Sequence, residues 1–364
     1  MYSRYLVLAL FVLIIFLIHR GADRRFVKRL DFSKKCKLLL RAFIYVNFLS
    51  VLGYIYFRYI SWSSRLLYFV LSLSVGIVLL LLLVMILYEI FFRLQKHISF
   101  LRKYKRFVDI LFIVFIFAYI GIGIYSITPK VHVVELNEGV LPKVYKIAQI
   151  SDLHIGRLVD RDFVADVVKK VNEQNPDIVV ITGDLIDGRP KYFKDVLAEL
   201  TKLKSKYGTF YITGNHEYFY GVKEIMDYVK SLGITVLQNS AVRLKDFYVV
   251  GVLDNRRRGQ KEYGTDFKKA FRGIPKGAVT LLLAHQPKII EKLNGIKPSL
   301  ILCGHTHAGQ IWPFGYFVRL FQPYLKGLHK LSDKSYIYIS SGTGFWGPPM
   351  RVGSQGEITI LKWR

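Results

Sequence analysis

Long apolar runs dominate the first third of the chain. Residues 66–88 form 23 consecutive uncharged positions, and residues 110–128 form 19. A helix of about 18 or more apolar residues is long enough to cross a hydrocarbon core about 30 Å thick. The pattern therefore predicts two transmembrane helices.

Two weaker runs precede them. Residues 38–57 are interrupted only by Arg41, which lies close enough to the end of the run to reach the interface along its aliphatic stem. Residues 5–18 are only 14 long, as in a signal peptide, but no small-x-small cleavage site follows them. We expect an uncleaved anchor there, and hence a membrane domain of residues 1–129 with about four transmembrane helices.

After Lys143 the pattern changes to short apolar runs separated by polar helical stretches. This alternation is typical of a layered α/β domain, which we assign to residues 130–364. The predicted strands are 144–150, 178–182, 209–213, 248–252, 279–284, 300–303, 336–340 and 357–361. The predicted helices are 161–172, 193–203 and 222–232.

The short connectors between the apolar runs differ in charge. Connectors 19–37 and 93–106 carry eight and six Lys or Arg residues, whereas connector 58–65 carries only Arg58 and Arg65. Cytoplasmic loops are enriched in these residues, so the first two connectors are predicted to face the cytoplasm. The expected protein is a multi-pass cytoplasmic (inner) membrane protein whose domain 130–364 lies outside the cytoplasm.

The whole-chain composition adds three exclusions. The 52% hydrophobic content excludes a disordered chain, and the two cysteines, Cys36 and Cys303, exclude a disulfide scaffold. The formal net charge of +27 divides into +14 for residues 1–127 and +13 for the rest. Because the second part is predicted to be tethered outside the cytoplasm, we expect no nucleic-acid partner.

Polar side chains follow five of the predicted strands, at the sheet edge where α/β domains place their sites. Seven of them are imidazole or oxygen donors: Asp152, His154, Asp184, Asn215, His285, His305 and His307. Such a set suits Mn, Fe, Zn or Ni, and excludes a Cys-rich zinc site and an all-oxygen Ca site. Seven donors exceed one tetrahedral ion and fit two ions that share a carboxylate.

In order, these residues stand as Asp152-Leu153-His154, Gly183-Asp184, Gly214-Asn215-His216-Glu217, His285 and Gly304-His305-Thr306-His307. The series resembles the signature of the calcineurin-like metallophosphoesterases over residues 143–364. The sequences 308–311 and 342–351 resemble the membrane-anchored branch of that family. Residues 354–359 depart from the branch's usual P-P-E-I-T ending without touching a predicted ligand. The resemblance implies a four-layer α/β/β/α sandwich.

The resemblance also implies roles for the residues. Two divalent ions, with Mn favoured, would share Asp184. The first would also bind Asp152, His154 and His307, and the second Asn215, His285 and His305. A metal-bound hydroxide would attack phosphorus, while His216 would stabilise the phosphoryl oxygens or protonate the leaving oxygen.

Three further residues are weaker candidates. Asp187 and Glu217 are predicted to steady neighbouring ligands, with solvent-facing turn carboxylates as the alternative. Arg351 is a candidate for phosphate binding, because the branch-specific segment that contains it is expected to pack nearby.

The segment 311–330 directly follows the predicted metal-binding histidines and combines aromatic with basic residues. Trp312, Phe314 and Phe317 are predicted to contact a lipid bilayer or the substrate. The alternative is a lid whose aromatic side chains pack into the domain. An anionic phospholipid or glycolipid phosphoester, or another small anionic phosphoester, is the expected substrate.

Two other functions stay open. One is a catalytically inactive binding or sensory module, which the retention of every ligand opposes. The other is cleavage of the pyrophosphate of UDP-diacylglucosamine in lipid A synthesis, as in some related enzymes. That reaction needs a cytoplasmic UDP-sugar, so the predicted orientation opposes it.

A reporter fused after Arg364 tests the orientation. We expect an alkaline phosphatase fusion to be active and a fluorescent-protein fusion to be dark, because both would lie outside the cytoplasm. The reverse result would overturn the charge argument and favour the lipid A hypothesis.

Overall fold

The computed structural model describes residues 2–57, 64–254 and 263–364, so Arg58 of the third connector lies outside the described residues. The chain divides into two compact units. One is Met1–Tyr125 with Gly347–Met350, and the other is Ser126–Trp346 with Arg351–Arg364.

The first unit is helical. Its α-helices are α1 (Tyr2–Arg25), α2 (Lys34–Phe57), α3 (Arg65–Leu94), α4 (Ser99–Lys103) and α5 (Lys105–Tyr125), with a 3₁₀ turn at Val27–Arg29. Within the described residues, four helices are long and apolar enough to cross a membrane: α1, α2, α3 and α5. The predicted runs 5–18 and 110–128 differ at their ends, because α1 continues to Arg25 and α5 already ends at Tyr125.

A buried carboxylate joins helices of this unit. Asp109 on α5 is fully buried and accepts hydrogen bonds from the Tyr88 hydroxyl (2.7 Å), the Asp31 backbone N–H (2.6 Å) and Lys105 Nζ (2.5 Å). A buried charge is tolerated when it is paired and hydrogen-bonded. These contacts therefore fix α3, α5 and the connection after α1 to one another.

The described part of the second unit contains two six-stranded sheets. The first has the order β1-β12-β2-β3-β4-β5, and the second has the order β10-β11-β9-β8-β7-β6. The strands are β1 (Lys130–Leu136), β2 (Tyr145–Ile150), β3 (Ile178–Thr182), β4 (Thr209–Ile212), β5 (Thr235–Val236), β6 (Ser240–Arg243), β7 (Tyr248–Gly251), β8 (Thr280–Leu283), β9 (Leu300–Cys303), β10 (Gly327–Ser332), β11 (Ser335–Ile339) and β12 (Glu357–Trp363).

Strands β2 to β5 are parallel in the first sheet, and β7, β8, β9 and β11 are parallel in the second. The helices are α6 (Arg161–Glu173), α7 (Lys194–Ala198), α8 (Glu217–Tyr220), α9 (Val222–Ser231), α10 (Phe267–Ala270) and α11 (Gly315–Val318). Turns of 3₁₀ helix lie at Pro190–Tyr192, Glu199–Lys202, Pro287–Lys292 and His307–Gly309.

Alternating strand residues build a four-layer sandwich. Ile147 and Val180 of the first sheet pack with Leu302 of the second in one cluster between the sheets. Their neighbours Ala148 and Val179 point the other way, into a second cluster formed with helices α6 and α9. A third cluster joins the outer face of the second sheet to α10 and the turn at Pro287–Lys292. The predicted α/β/β/α architecture is confirmed.

The predicted helix 193–203 is wrong in part. Phe193 has φ −131° and ψ 26°, outside the helical region, and the following turn changes from α7 into a 3₁₀ helix after Ala198. Leu197 and Leu200 are both buried. Their spacing of three residues matches the 3₁₀ repeat, so the tighter turn keeps both side chains in the core.

The site-bearing strands of the two sheets are linked at their ends. Gln149 at the end of β2 donates from Nε2 to the backbone carbonyl of Cys303 on β9 and to Thr182 Oγ1 at the end of β3, both at 2.9 Å. This buried amide therefore joins the carboxyl ends of strands from both sheets.

Candidate metal centre

The turns after β2, β3 and β9 place unusual backbone conformations at the predicted ligands. Five of the seven predicted ligands have φ between 48° and 70°: Asp152, His154, Asp184, His305 and His307. Such left-handed conformations cost about 1–3 kcal/mol each and persist only where the surroundings impose them. Here the turns bond to each other, since the N–H groups of Asp152 and His154 donate to the carbonyls of Gly183 and Asp184 at 3.1 and 3.0 Å.

Two glycines allow these turns to approach closely. A Cβ added at Gly214 would lie 2.2 Å from Asp184 Oδ1, and one at Gly304 would lie 1.9 Å from Ser151 Oγ. Real Cβ atoms essentially never lie within 3.0 Å of such neighbouring atoms, so only glycine fits at these two positions. The glycines therefore let the ligand-bearing turns of both sheets converge on one centre.

The first group of ligand atoms comprises Asp152, His154 and His307, which are all buried. His154 Nε2 lies 3.1 Å from His307 Nε2, and His307 Nε2 lies 3.4 Å from Asp152 Oδ1. Asp184 Oδ2 is 3.9 Å from His154 Nε2. Asp152, His154 and His307, which are predicted to share the first metal with Asp184, thus lie together next to the Asp184 carboxylate.

The second group comprises Asp184, His285 and His305. His285 Nε2 lies 3.2 Å from each of three atoms, namely Asp184 Oδ2, Asn215 Oδ1 and His305 Nδ1. All seven sequence-predicted ligands therefore lie at one centre, with the Asp184 carboxylate between the two groups.

The donor chemistry fits a pair of divalent cations. His285 Nδ1 bonds to the Thr182 carbonyl at 2.8 Å, so in the neutral ring Nδ1 carries the proton and Nε2 presents a lone pair. That lone pair faces a carboxylate oxygen, an amide oxygen and another imidazole nitrogen, and a shared cation satisfies all four atoms. Nitrogen and oxygen donors without thiolate suit borderline divalent ions.

Asp187 orients two imidazoles at once. Its Oδ1 lies 2.9 Å from His154 Nδ1 and 2.6 Å from His216 Nδ1. Each ring can therefore donate from Nδ1 and turn Nε2 towards the centre, where His216 Nε2 is 3.9 Å from Asp184 Oδ2. Asp187 therefore contacts both a predicted ligand, His154, and the motif residue His216.

Glu217 is fully buried, which excludes the solvent-facing alternative for this residue. Its carboxylate accepts backbone N–H bonds from Asp184 (3.1 Å), Leu185 (2.8 Å) and Gly214 (2.6 Å). Burial, followed by the nearby charge of Asp184, raises the pKa of Glu217 to about 6. The side chain braces the turn that carries Asp184.

Arg351 is also fully buried. Its guanidinium donates to the carbonyls of Gly344 (2.6 Å from Nη2), Gly342 (3.0 Å) and His307 (3.3 Å). Because the guanidinium already donates to these three carbonyls, Arg351 is better placed to support the His307 turn than to bind phosphate as predicted. Burial lowers its pKa to about 10.

The segment that contains these residues is similar to a known protein family. The sequence profile of the calcineurin-like phosphoesterase family matches residues 145–309, from β2 to just beyond His307. An uncharacterized metallophosphoesterase of Helicobacter pylori is 40% identical over 261 residues, which cover 71% of this chain and 70% of the relative. The chain belongs to the calcineurin-like metallophosphoesterase family. It is accordingly a metal-dependent phosphoesterase, with donors that fit a dinuclear site.

Two further proteins are similar to this chain. A Bos taurus transmembrane protein with metallophosphoesterase domain is 36% identical over 251 residues, covering 64% of this chain and 56% of that protein. Together with the four apolar helices, this indicates a membrane protein. A dimetal phosphatase from Danio rerio is 14% identical, with a TM-score of 0.37 and coverage of 55% of this chain and 88% of that one.

In this metallophosphoesterase the aromatic residues predicted to contact lipid or substrate lie on and around α11. Trp312, Phe314 and Phe317 are 45%, 45% and 61% exposed. Each of these side chains is therefore partly packed and partly exposed, which is compatible both with a lid and with contact to lipid or substrate. Nearby, a cavity of about 160 Å³ is lined by Trp312, Tyr316, Arg319 and Lys326 among others.

Sequence reasoning missed three residues at the rim and base of the site. Ser151 Oγ bonds to Asp152 Oδ2 at 2.5 Å, and its position directly before the first ligand is the signal that was available. The rings of Phe219 and Trp346 lie 5.5 and 6.1 Å from the His216 ring. Phe219 follows the Gly214–Glu217 motif by two residues, but no spacing rule places Trp346 beside it.

In the metal-free protein, burial and neighbouring charges set the pKa values of the candidate histidine ligands. Burial by itself lowers the pKa of His154, but the carboxylates of Asp187 and Asp184 outweigh it and raise that pKa to about 9. Burial is the main cause that lowers the pKa of His305 and of His307 to about 4. The carboxylates of Asp184 and Asp152 also outweigh burial at His285 and raise its pKa well above the usual value. Metal-free protein therefore holds protons on His154 and His285 at neutral pH, while His305 and His307 are neutral.

We expect metal affinity to rise with pH throughout the range up to about 9. A metal binds only the neutral ring, so in this range binding must expel protons from both His154 and His285, at about tenfold in affinity per pH unit for each such ring. Calorimetric titration of chelator-stripped protein with Mn²⁺, in buffers of different ionisation enthalpy, measures affinity and released protons together.

Asp187→Asn removes the charge that holds the His154 proton, so the pH dependence should move to lower pH. Asp227→Asn, at a half-exposed carboxylate paired with Lys223, is the matched control and should leave the profile unchanged. Binding without proton release between pH 7 and 9 would contradict the prediction.

Proposed function

We propose that this protein is a membrane-anchored dinuclear phosphoesterase that hydrolyses phosphoester or pyrophosphate bonds of a lipid-linked or other anionic substrate. One observation carries the proposal: the Asp184 carboxylate lies between two groups of imidazoles, with His216 held at its edge by Asp187. That arrangement offers two cation positions beside one proton-carrying group.

The assignment of residues follows this geometry. Asp152, His154, Asp184 and His307 would hold one cation, and Asp184, Asn215, His285 and His305 would hold the other. When bound, two divalent cations supply an activated water and neutralise charge on the phosphoryl oxygens. Asp184 is thus the shared ligand on which both positions depend.

His216 acts on the leaving oxygen in this proposal. Its Nδ1 is engaged by Asp187 at 2.6 Å, which fixes the ring and leaves Nε2 facing the centre. A positioned imidazole that donates a proton to the leaving oxygen contributes about 10²–10⁴-fold to such reactions. The buried Glu217 and Arg351 hold the turns that carry Asp184 and His307.

The membrane part of the proposal rests on chain connectivity and on one exposed surface. β1 begins at Lys130, five residues after the apolar helix α5 ends at Tyr125. We define the aromatic platform as residues 312–321, which expose Trp312, Phe314, Tyr316, Phe317, Leu320 and Phe321 by 45–74%.

The platform begins five residues after His307, and Arg319 and Lys326 lie within and beside it. Exposed aromatic and basic side chains together suit the interface of an anionic lipid layer. We place the domain boundary at residues 129–130 and the catalytic domain outside the cytoplasm, as the connector charges indicate.

Hydrolysis of bis-p-nitrophenyl phosphate tests the reaction. We expect the full chain with Mn²⁺ to turn over this diester, and Asp184→Asn and His216→Ala to lower kcat by about 10²-fold or more. Asp184→Asn should also lose bound metal, whereas His216→Ala should retain both ions. His132→Ala, at an exposed histidine on β1, is the matched control. Turnover that neither variant reduces would refute the site.

A comparison of a substrate in lipid vesicles with a soluble substrate tests whether the aromatic platform contacts the lipid layer. For the full chain with Trp312→Ser and Phe317→Ser, we expect kcat/KM on a phospholipid ester in anionic vesicles to fall about tenfold more than kcat/KM on the soluble diester, because apolar contact with the layer is lost. Tyr192→Ser, at another exposed aromatic, should leave the ratio unchanged. Equal losses on both substrates would contradict a role at the lipid surface.

A further inference from the structure

His216 lies among three rings that differ in exposure. The buried His154 ring is 4.6 Å away, and the rings of Phe219 and Trp346 are 5.5 and 6.1 Å away, all with interplanar angles between 77° and 86°. Phe219 is 52% exposed and Trp346 is 48% exposed. His216 is therefore adjacent both to a buried ring of the ligand centre and to two half-exposed aromatic rings.

Both rings are positioned by the loops that carry the ligands. Phe219 lies on α8, whose first residue, Glu217, is anchored to the Asp184 turn through three backbone N–H groups. The backbone of Trp346 is held at both its N–H and its carbonyl by the Gln310 side chain, at 2.9 and 2.8 Å.

Gln310 follows His307 by three residues and has φ 50° and ψ −56°, a sparsely populated conformation with positive φ. Such strain concentrates at functional sites. The placement of Trp346 is thus tied to the same turn that carries a predicted ligand.

The position of His216 decides what these rings contact. In the proposed reaction the leaving oxygen must meet His216 Nε2, since this nitrogen faces the centre while Nδ1 is engaged by Asp187. The carbon attached to that oxygen then lies next to the imidazole, whose half-exposed neighbouring rings are Phe219 and Trp346. Aromatic rings bind apolar and planar groups through area burial and edge-to-face or offset contacts.

We propose that Phe219 and Trp346 form a leaving-group subsite that selects phosphoesters whose leaving alcohol is apolar next to the ester oxygen. The subsite rests on the proposed function, because it needs His216 as the group that meets the leaving oxygen. It is separate from the aromatic platform: the platform faces a lipid layer, whereas this pair contacts the part of the substrate that departs.

Two substrates with leaving oxygens of similar acidity test the subsite: methyl phenyl phosphate and methyl 1-naphthyl phosphate. For the full chain, we expect kcat/KM to favour the naphthyl ester by about tenfold, because its second ring adds apolar contact. Phe219→Ala and Trp346→Ala should each bring the ratio towards one.

Trp346→Phe keeps an aromatic ring and should keep most of the preference. Tyr192→Ala, at an exposed aromatic outside the site, is the matched control. A binding measurement gives a second readout: calorimetric affinity for the uncleaved analogue 1-naphthylmethylphosphonate should fall about tenfold in the alanine variants, while the affinity for methylphosphonate should not change.

The failures are distinguishable. Wild-type protein that binds two metals but cleaves neither ester refutes the proposed function and the subsite with it. Cleavage of both esters with an unchanged ratio in the alanine variants refutes the subsite alone. An equal loss on both esters, at unchanged metal content, shows that the rings only support the fold and also refutes it.

Discussion

The carboxylate of Asp184 is the constraint on which the site depends. Its Oδ2 faces His285 at 3.2 Å and His154 at 3.9 Å, while its Oδ1 accepts the His216 backbone N–H at 2.8 Å. Its own N–H is held by Glu217. A residue that must serve both groups tolerates little displacement, because catalytic and metal-binding geometries lose function over fractions of an ångström. The close turns at Gly214 and Gly304 follow from this requirement.

The two-sheet core supplies the rigidity that such turns need. Five left-handed ligand residues would relax if the strands before them could move, and each stores about 1–3 kcal/mol. The strands cannot move freely, because β2, β3, β8 and β9 are buried on both faces and Gln149 ties β2 to β9. The packing of these strands in the core, away from the candidate metal centre, therefore maintains the left-handed conformations of the candidate ligands.

Sequence patterns predicted the interior of this fold better than its margins. All eight predicted strands exist, whereas β1, β5, β6 and β10 were missed, and these four are the edges of the two sheets. An edge strand is buried unevenly, as in β1 and β10, so neither an apolar run nor a clean alternation marks it. The ligands were predictable because each follows a buried strand, but the support by Arg351 and the approach of Trp346 to His216 depend on tertiary contacts between distant segments.

The local and overall charges of the catalytic domain have opposite signs, and this has a consequence for substrate entry. Asp152, Asp184, Asp187 and Glu217 cluster at the centre, where in the metal-free protein protonated His154 and His285 and the guanidinium of Arg351 offset only part of their charge. Bound divalent cations reverse that sign locally, while the net charge of +13 on residues 128–364 draws anions towards the domain over longer distances. The basic surface would thus concentrate the proposed anionic substrates, and their selection would fall to uncharged contacts such as those of the proposed subsite beside His216.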